Sequence, residues 1–526
     1  MIWLVLAVVV AILIWYTLDK PLKYWSNRGV KQSKPWFILG DSWVNLLRTK
    51  SFCGYIEWMY NMHPNSRYSG IYQFHTPTLV IRDPELIKQI TVKDFDHFTD
   101  HRNFVDPESD PLWGKNLFSL KGQRWREMRA TLTGSFTSSK MKAMFSLMDA
   151  AADTFVKYYW DKGDEKMELE LKDTYTRYTS DVIATIAFGL EVDSLTQPEN
   201  TFYLMGRKIT NFSGFVTSLK FFGYFMIPSL FKKFKISMLD KGASNFFRSV
   251  ISETIKVRED QGIVRPDMIN VLLEVRKGIK QEDNSDIIDT GFATVEESSD
   301  ITKFRQLKSL TNDDITSQAL IFFFAGFDAI STAMCFASYE LAANKDVQDR
   351  LREEIKQTYD ENNGKLTYEA LLKMKYMDMV VCELQRKWPQ GALLDRVCTR
   401  QYTIEAERPD ESPLTIPVGQ LLWIPVFGIH RDPSYYPDPE KFVPERFSDE
   451  NKAKIKPYTY IPFGLGPRNC IGSRFALLET KVLLFKMLLN FEISLSDKMP
   501  VPLRLSKGLN ISVDGGFWFN IKRISS

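Results

Sequence analysis

Cys470 lies in FGLGPRNCIG, Phe463 to Gly472, among three glycines and a proline and two residues after Arg468. Those glycines and the proline exclude a helix or flat strand for the stretch. They predict a backbone bent closely around something, with the thiol presented rather than packed. A nucleophilic cysteine needs a histidine base. The chain has His63, His75, His97, His101 and His430, and none falls in the loop. A phosphate cradle needs a third glycine at the dinucleotide spacing and a strand–loop–helix unit with a later acid, and Gly464 and Gly466 have neither. A thiolate metal ligand fits better. Loop N–H groups can hydrogen-bond the sulfur and tune it, and an arginine two residues away suits the acidic edge of a large cofactor.

Other spacings carry chemistry too. Trp125 and Arg129 in GQRWREMR sit one helical turn apart. They would point an indole N–H and a guanidinium the same way, a grip for a carboxylate. Glu383 and Arg386 stand three apart in VVCELQRKWP and share a helix face. Alone, such a pair is usually a surface ion pair worth little. Arg446 closes the proline-punctuated stretch HRDPSYYPDPEKFVPERF, residues 430 to 447. The fourth feature is AGFD, Ala325 to Asp328, where Gly326 costs a helix about 1 kcal/mol relative to alanine. It marks either close helix packing or a helix opened beside a ligand, with Asp328 a lone buried acid near it.

These residues need elements to position them. Thr311 can cap a helix whose first turn holds Asp313 and Asp314. From Ile315 to Tyr339, Asp328 is the single charge, which predicts a helix buried through the middle of a large domain. A membrane span is the rival, and Gln318, Asp328 and several hydroxyl residues count against it. The rest reads mainly α, with a small β lobe from short strand-like pieces near both ends. A polar, acid-rich stretch at about 278–313 predicts a surface loop. Residues 2 to 18 carry no charge, close to the ~20 apolar residues that span a bilayer. Nothing basic precedes them, and Trp15 and Tyr16 stand where a cleavage site needs small residues. The expectation is a transmembrane anchor over 1–19, a basic, proline-ended linker over 20–40 and a catalytic body over 41–526. The basic flank puts the N-terminus in the lumen and the body in the cytosol. Phe212 to Phe234 reads either as core helix with a connection at Pro228 or as a surface dipping into lipid. A net charge of +3 argues against a nucleic-acid surface. Five scattered cysteines exclude a disulfide framework and a structural zinc site.

The whole set resembles the cytochrome P-450 superfamily, in order and spacing over about three-quarters of the chain. FGLGPRNCIG fits its haem-thiolate loop, WREMR the haem-facing helix, AGFD the oxygen-binding helix, ELQR its Glu-x-x-Arg pair and PERF the partner arginine. DFDHFTDHRNF, FTSSKMKAMF and GFATVEES look like the insect microsomal detoxification branch, related to the mammalian drug-oxidising enzymes. The resemblance implies haem b with Cys470 as axial thiolate ligand of the iron and Phe463 stacked near the sulfur. It implies a propionate clamp of Trp125, Arg129, Arg396 and Arg468, with His101 or Arg102 a weaker candidate, and Ala325 and Gly326 against the haem. Glu383, Arg386 and Arg446 become a buried charge network, and Asp328 serves proton delivery. Phe104, Phe118, Phe323, Phe324, Phe327, Leu393 and Leu394 fall in pocket-lining segments. The implied activity is NADPH-dependent monooxygenation of lipophilic substrates on the endoplasmic reticulum, with electrons from a flavin reductase and cytochrome b5 as a further partner. One departure is serious: the residue after the acid is commonly threonine, and here it is Ala329. Thr332 lies nearly on the same helix face one turn along, able to act through a water, and Ser331 faces away. Two alternatives follow from that departure, a haem-thiolate rearrangement enzyme needing no reductase and a low-turnover haem or ligand carrier.

Overall fold

In the computed structural model, residues 20–526 are described apart from 104, 164, 212–214, 266, 279–291, 295–309, 509–510 and 525–526, with scattered residues of 1–19. Most of the expected anchor, Phe104 and most of the polar stretch 278–313 lie outside the described residues.

The helices that matter here are α1 (Phe52–Asn61), α2 (Gly122–Thr133), α3 (Ser138–Asp161), α4 (Leu171–Ile183), α5 (Thr201–Thr210), α6 (Phe215–Met226), α7 (Pro228–Lys233) and α8 (Lys241–Gln261). Three more follow: α9 (Asn312–Ala343), α10 (Lys375–Lys387) and α11 (Ser473–Asn490). Helix α9 begins as the sequence predicts. Thr311 Oγ1 accepts the Asp314 N–H at 3.1 Å, and the Asp314 carboxylate accepts the Thr311 N–H at 2.9 Å, a reciprocal cap. The helix is long and apolar enough to cross a membrane, but 67% of its most apolar window is buried inside the fold. It is the central core helix. At Ala325–Ile330 its turns widen to the π spacing, as expected for a helix opened at AGFD. Widening displaces backbone carbonyls from their regular partners. Helix α4 answers them with side chains: Thr179 Oγ1 donates to Phe327 O at 3.0 Å and Lys172 Nζ to Asp328 O at 3.1 Å.

The β structure is small, as predicted. Strands β1 (Tyr68–Gln73) and β2 (Thr76–Ile81) form a hairpin, paired from Tyr68↔Ile81 to Gln73↔Thr76. Strand β3 is Lys166–Glu170, β4 Leu394–Val397, β5 Tyr402–Ile404, β6 Leu414–Ile416 and β7 Leu421–Ile424. The last two are β8 (Phe491–Leu495) and β9 (Trp518–Arg523). The main sheet runs β1-β2-β7-β4, with β7 parallel to β2 and antiparallel to β4. A second sheet runs β3-β9-β8, and β5 pairs with β6. The main sheet covers an apolar cluster that includes Trp25, Tyr72, Leu79 and Ile424. The helices share a larger cluster with α9 at its centre.

Candidate active site

The cysteine loop is bent as its composition demands. Gly464 and Gly466 have φ of +79° and +67°, in the left-handed region that glycine tolerates. A Cβ on Gly466 would lie 1.8 Å from the Thr91 carbonyl oxygen, so the backbone itself requires glycine there. The Cys470 N–H donates to Phe463 O at 2.8 Å, closing the loop on itself. Helix α11 starts three residues later, and its N-terminal N–H groups favour negative charge nearby. Cys470 is exposed, whereas Cys53, Cys335, Cys382 and Cys398 are buried. Burial pushes the Cys53 thiol up to about 12 and raises those of Cys335 and Cys382 as well, so these three stay protonated. Phe463 packs half-buried on the main core.

Buried cations gather behind the loop. The Arg468 guanidinium stacks on the Trp125 ring of α2 at 3.9 Å and donates to Thr99 O and Leu120 O, each at 2.7 Å. Arg129, one turn after Trp125, donates to Asn469 O at 2.8 Å and to Asn469 Oδ1 at 2.6 Å. Arg396 on β4 donates to Asp395 O at 2.7 Å, and its buried Nε has no partner. Asp395 accepts from His101 Nδ1 at 2.8 Å and from the Arg102 N–H at 2.6 Å. The His101 ring stacks on Phe118 at 4.4 Å, whereas the Arg102 side chain turns away to Gln73 and Phe225. Desolvation pulls Arg396 down to about 10 and Arg468 well below its usual value, the latter pushed further by Arg396 and Arg129. Asp100, 3.6 Å from Arg468, offsets part of this. The remainder is a buried surplus of positive charge, which a bound acidic group would relieve.

Helix α9 departs from expectation at Asp328. Asp328 is not a lone buried acid. Its side chain is 55% exposed and accepts from Lys172 Nζ at 2.8 Å. The same ammonium donates to Ser331 Oγ at 2.7 Å and Thr332 Oγ1 at 2.8 Å, so the widened turn brings Ser331, Thr332 and Asp328 to one cation. Phe323 and Phe327 are two of the expected pocket-lining residues. They are buried against Phe188, Phe202, Phe247 and Tyr203, in the packing between α9 and α5 and α8. A helix apolar all round gives no periodic signal for which ring faces which way. Phe324 meets Trp113 edge-on at 5.9 Å. Ala325 is exposed, Ala329, Leu393 and Leu394 are half-buried and Phe118 is exposed. Gly326 serves close packing as well as the wide turn, since a Cβ there would lie 3.1 Å from Ile183.

Glu383 and Arg386 form a two-pronged pair at 2.7 and 2.8 Å, with both side chains 0% exposed, and Arg446 reaches Glu383 at 3.4 Å. A fourth member was not visible in the sequence. The His430 carbonyl accepts from Arg386 at 2.9 Å, and His430 Nε2 accepts the Ile461 N–H at 2.9 Å. The imidazole thus ties the charge network to the strand of chain leading into the cysteine loop. Burial and the neighbouring Arg386 hold its pKa down at about 3, against an ordinary 6.5. It is neutral in the fold, and unfolding lets it take up a proton below pH 6.5. Stability should therefore fall as pH drops from about 6.5 towards 3, with a slope of up to about 1.4 kcal/mol per pH unit. Urea midpoints across that range check this, and His430→Gln should flatten the slope.

The sequence profile described as Cytochrome P-450 matches residues 44–514. The chain belongs to the cytochrome P-450 family. Cytochrome P-450 9e2 of Blattella germanica is 45% identical over 516 residues, covering 95% of this chain and 93% of that protein. Probable cytochrome P-450 9f2 of Drosophila melanogaster is 41% identical over 509 residues, covering 95% and 94%. Cytochrome P-450 6k1 of Blattella germanica is 39% identical over 484 residues, covering 92% and 89%. These relatives place the chain in the insect branch that its motifs suggested. It is a haem-thiolate monooxygenase with the mostly helical P-450 fold, and its cofactor is haem b.

The residues present fit that cofactor. One exposed thiol stands in a glycine-bent loop, and the buried guanidiniums of Arg129, Arg396 and Arg468 gather behind it. Among the described residues no group of three or more His, Cys, Asp or Glu is placed to hold a metal ion. Sequence reasoning missed Lys172, Asp395 and Asn469, whose partners Asp328, His101 and Arg129 lie 156, 294 and 340 residues away. No local pattern marks them.

Proposed function

We propose that this P-450 oxygenates lipophilic substrates at the endoplasmic reticulum membrane, with electrons from NADPH through a flavin reductase and from cytochrome b5. The observation that carries the reading is the exposed Cys470 thiol beside the buried cationic surplus. Cys470 Sγ would be the axial ligand. Trp125, Arg129, Arg396 and Arg468, with His101 beside them, would hold the propionates, and Ala325 and Gly326 would face the ring. Bound haem supplies oxygen activation, favoured by the electron-rich thiolate. Phe118, Phe324, Leu393 and Leu394 would meet the substrate, and Phe104 is proposed from its motif alone. Residues 1–19 would span the bilayer with the N-terminus in the lumen, residues 20–40 would link and residues 41–526 would form the cytosolic body. Val216, Leu219 and Phe222 on α6 and Ile227, Leu230 and Phe234 around α7 are exposed apolar residues, which supports a face lying in lipid.

Proton handling falls to this chain's own groups. Lys172 holds Asp328 Oδ1 and Thr332 Oγ1 together. Thr332 accepts there, which leaves its hydroxyl hydrogen to donate to a water. Ala329 has no hydroxyl to offer. Reconstitution with reductase and a hydrocarbon substrate should therefore consume NADPH, release hydrogen peroxide and yield little product. Ala329→Thr should raise product per NADPH. Absence of NADPH consumption would sink the monooxygenase reading. Tight coupling before the change, with no gain after it, would instead make Thr332 on Lys172 the working relay.

A further inference from the structure

A cleft of about 510 Å³ opens between the segment 103–124 and helix α7. Its charged lining residues are Lys121, Arg124, Lys232 and Asp106, three cations and one anion. Asp106 pairs with Lys232 at 3.1 Å, and Arg124 reaches outside the cleft to Asp314 at 3.1 Å. Lys121 has no ion pair among the described residues, and its side chain is exposed. Apolar surface adjoins this basic mouth directly. Helix α7 lends Pro228, Ser229 and Lys232 to the cleft, while Ile227, Leu230 and Phe234, at helical spacing, are exposed beside it. The apolar run continues onto Leu219 and Phe222 of α6. Phe222 meets Phe74 at 5.6 Å, beside the exposed Trp36, Phe37 and Ile38. A surface that sets clustered cations at the border of a broad apolar face matches a molecule with an anionic head and hydrocarbon tails.

We infer that the cleft between α7 and the segment 103–124 binds the phosphate-bearing headgroup of an anionic phospholipid, with the acyl chains lying along the exposed face of α6 and α7. The inference rests on the proposal that this face lies in lipid, and it adds a lipid class and the residues that select it. Lys121 supplies a mobile ammonium group, while Lys232 would turn from Asp106 and the Arg124 fork from Asp314 to reach phosphate oxygens. None of the three touches the cysteine loop or the network around Glu383.

The test uses the full chain in detergent, titrated calorimetrically at low salt with dihexanoyl phosphatidylglycerol, dihexanoyl phosphatidylcholine and inorganic phosphate. Phosphatidylglycerol should bind at least tenfold more tightly than either of the others. The pair Lys121→Ser and Lys232→Ser should weaken it about 25-fold, at about fivefold for each lysine. Removing equal charge elsewhere, with Lys345→Ser and Lys498→Ser, should change it less than twofold. An unaltered carbon-monoxide spectrum shows that each variant is folded. Equal binding of phosphatidylcholine would overturn the inference, as would inorganic phosphate binding as tightly as the lipid, which would make the cleft a free-anion site. Quenching by brominated phosphatidylcholine in neutral vesicles separates the two layers of the argument. Insertion of α6 and α7 without headgroup preference defeats the cleft alone. No insertion at all defeats the bilayer reading beneath it.

Discussion

Cys470→Ser should abolish the far-red-shifted absorption band of the ferrous carbon-monoxide complex and bring oxygenation to background. The alcohol keeps the loop's size, so the Cys470 N–H bond to Phe463 and the left-handed glycines should persist. What disappears is the soft, electron-rich donor, since a serine hydroxyl does not ionise near neutral pH as a thiol can. No other cysteine can take over, because the remaining four are buried. A variant that kept the band would place the iron on another residue and overturn the site map.

The second large effect is expected at the charge network. Arg386→Leu should destabilise the chain by about 3–5 kcal/mol, because it leaves the Glu383 carboxylate, 0% exposed, with only the longer contact to Arg446 at 3.4 Å. Arg386→Lys should recover little. The guanidinium serves Glu383 with two nitrogens and also reaches His430 O at 2.9 Å and Pro439 O at 2.8 Å, and one ammonium cannot cover those directions. Haem-loaded yield and urea midpoints measure this. A leucine variant with ordinary yield and an unchanged midpoint would mean that Glu383 is neutral or solvated, contrary to its burial.

What could be read from the chain followed from local physics. The bend around Cys470 was legible because glycine and proline restrict their own backbone, and the start of α9 because Thr311 and Asp314 cap it within four residues. Trp125 and Arg129 were legible as a pair because helical pitch brings them to one face, and both do act behind the cysteine loop, through Arg468 and Asn469. Asp328 shows where this reasoning ends. Its partner, Lys172, is 156 residues away on α4, and an acid in an apolar helix looks buried until that cation is found. That Phe323 and Phe327 pack towards α5 and α8 was hidden for a related reason, since orientation in a uniformly apolar helix is decided by its neighbours. His430 carried no signal beyond being a histidine. Its importance comes from two hydrogen bonds that only the tertiary fold creates.

The contact between Gly466 and the Thr91 carbonyl joins the beginning of the chain to its end, and it bears on the order of events during synthesis. The cationic cradle draws on Trp125 and Arg129, but the thiol that completes it comes 345 residues after Trp125 (470 minus 125). At ~5–20 residues per second, a ribosome takes roughly 17–70 seconds to make that stretch. Through that interval the aromatic and aliphatic walls of the site exist without the segment that closes them. Haem can be seated only when translation is nearly finished, so a cell short of haem would accumulate complete but open chains rather than truncated ones.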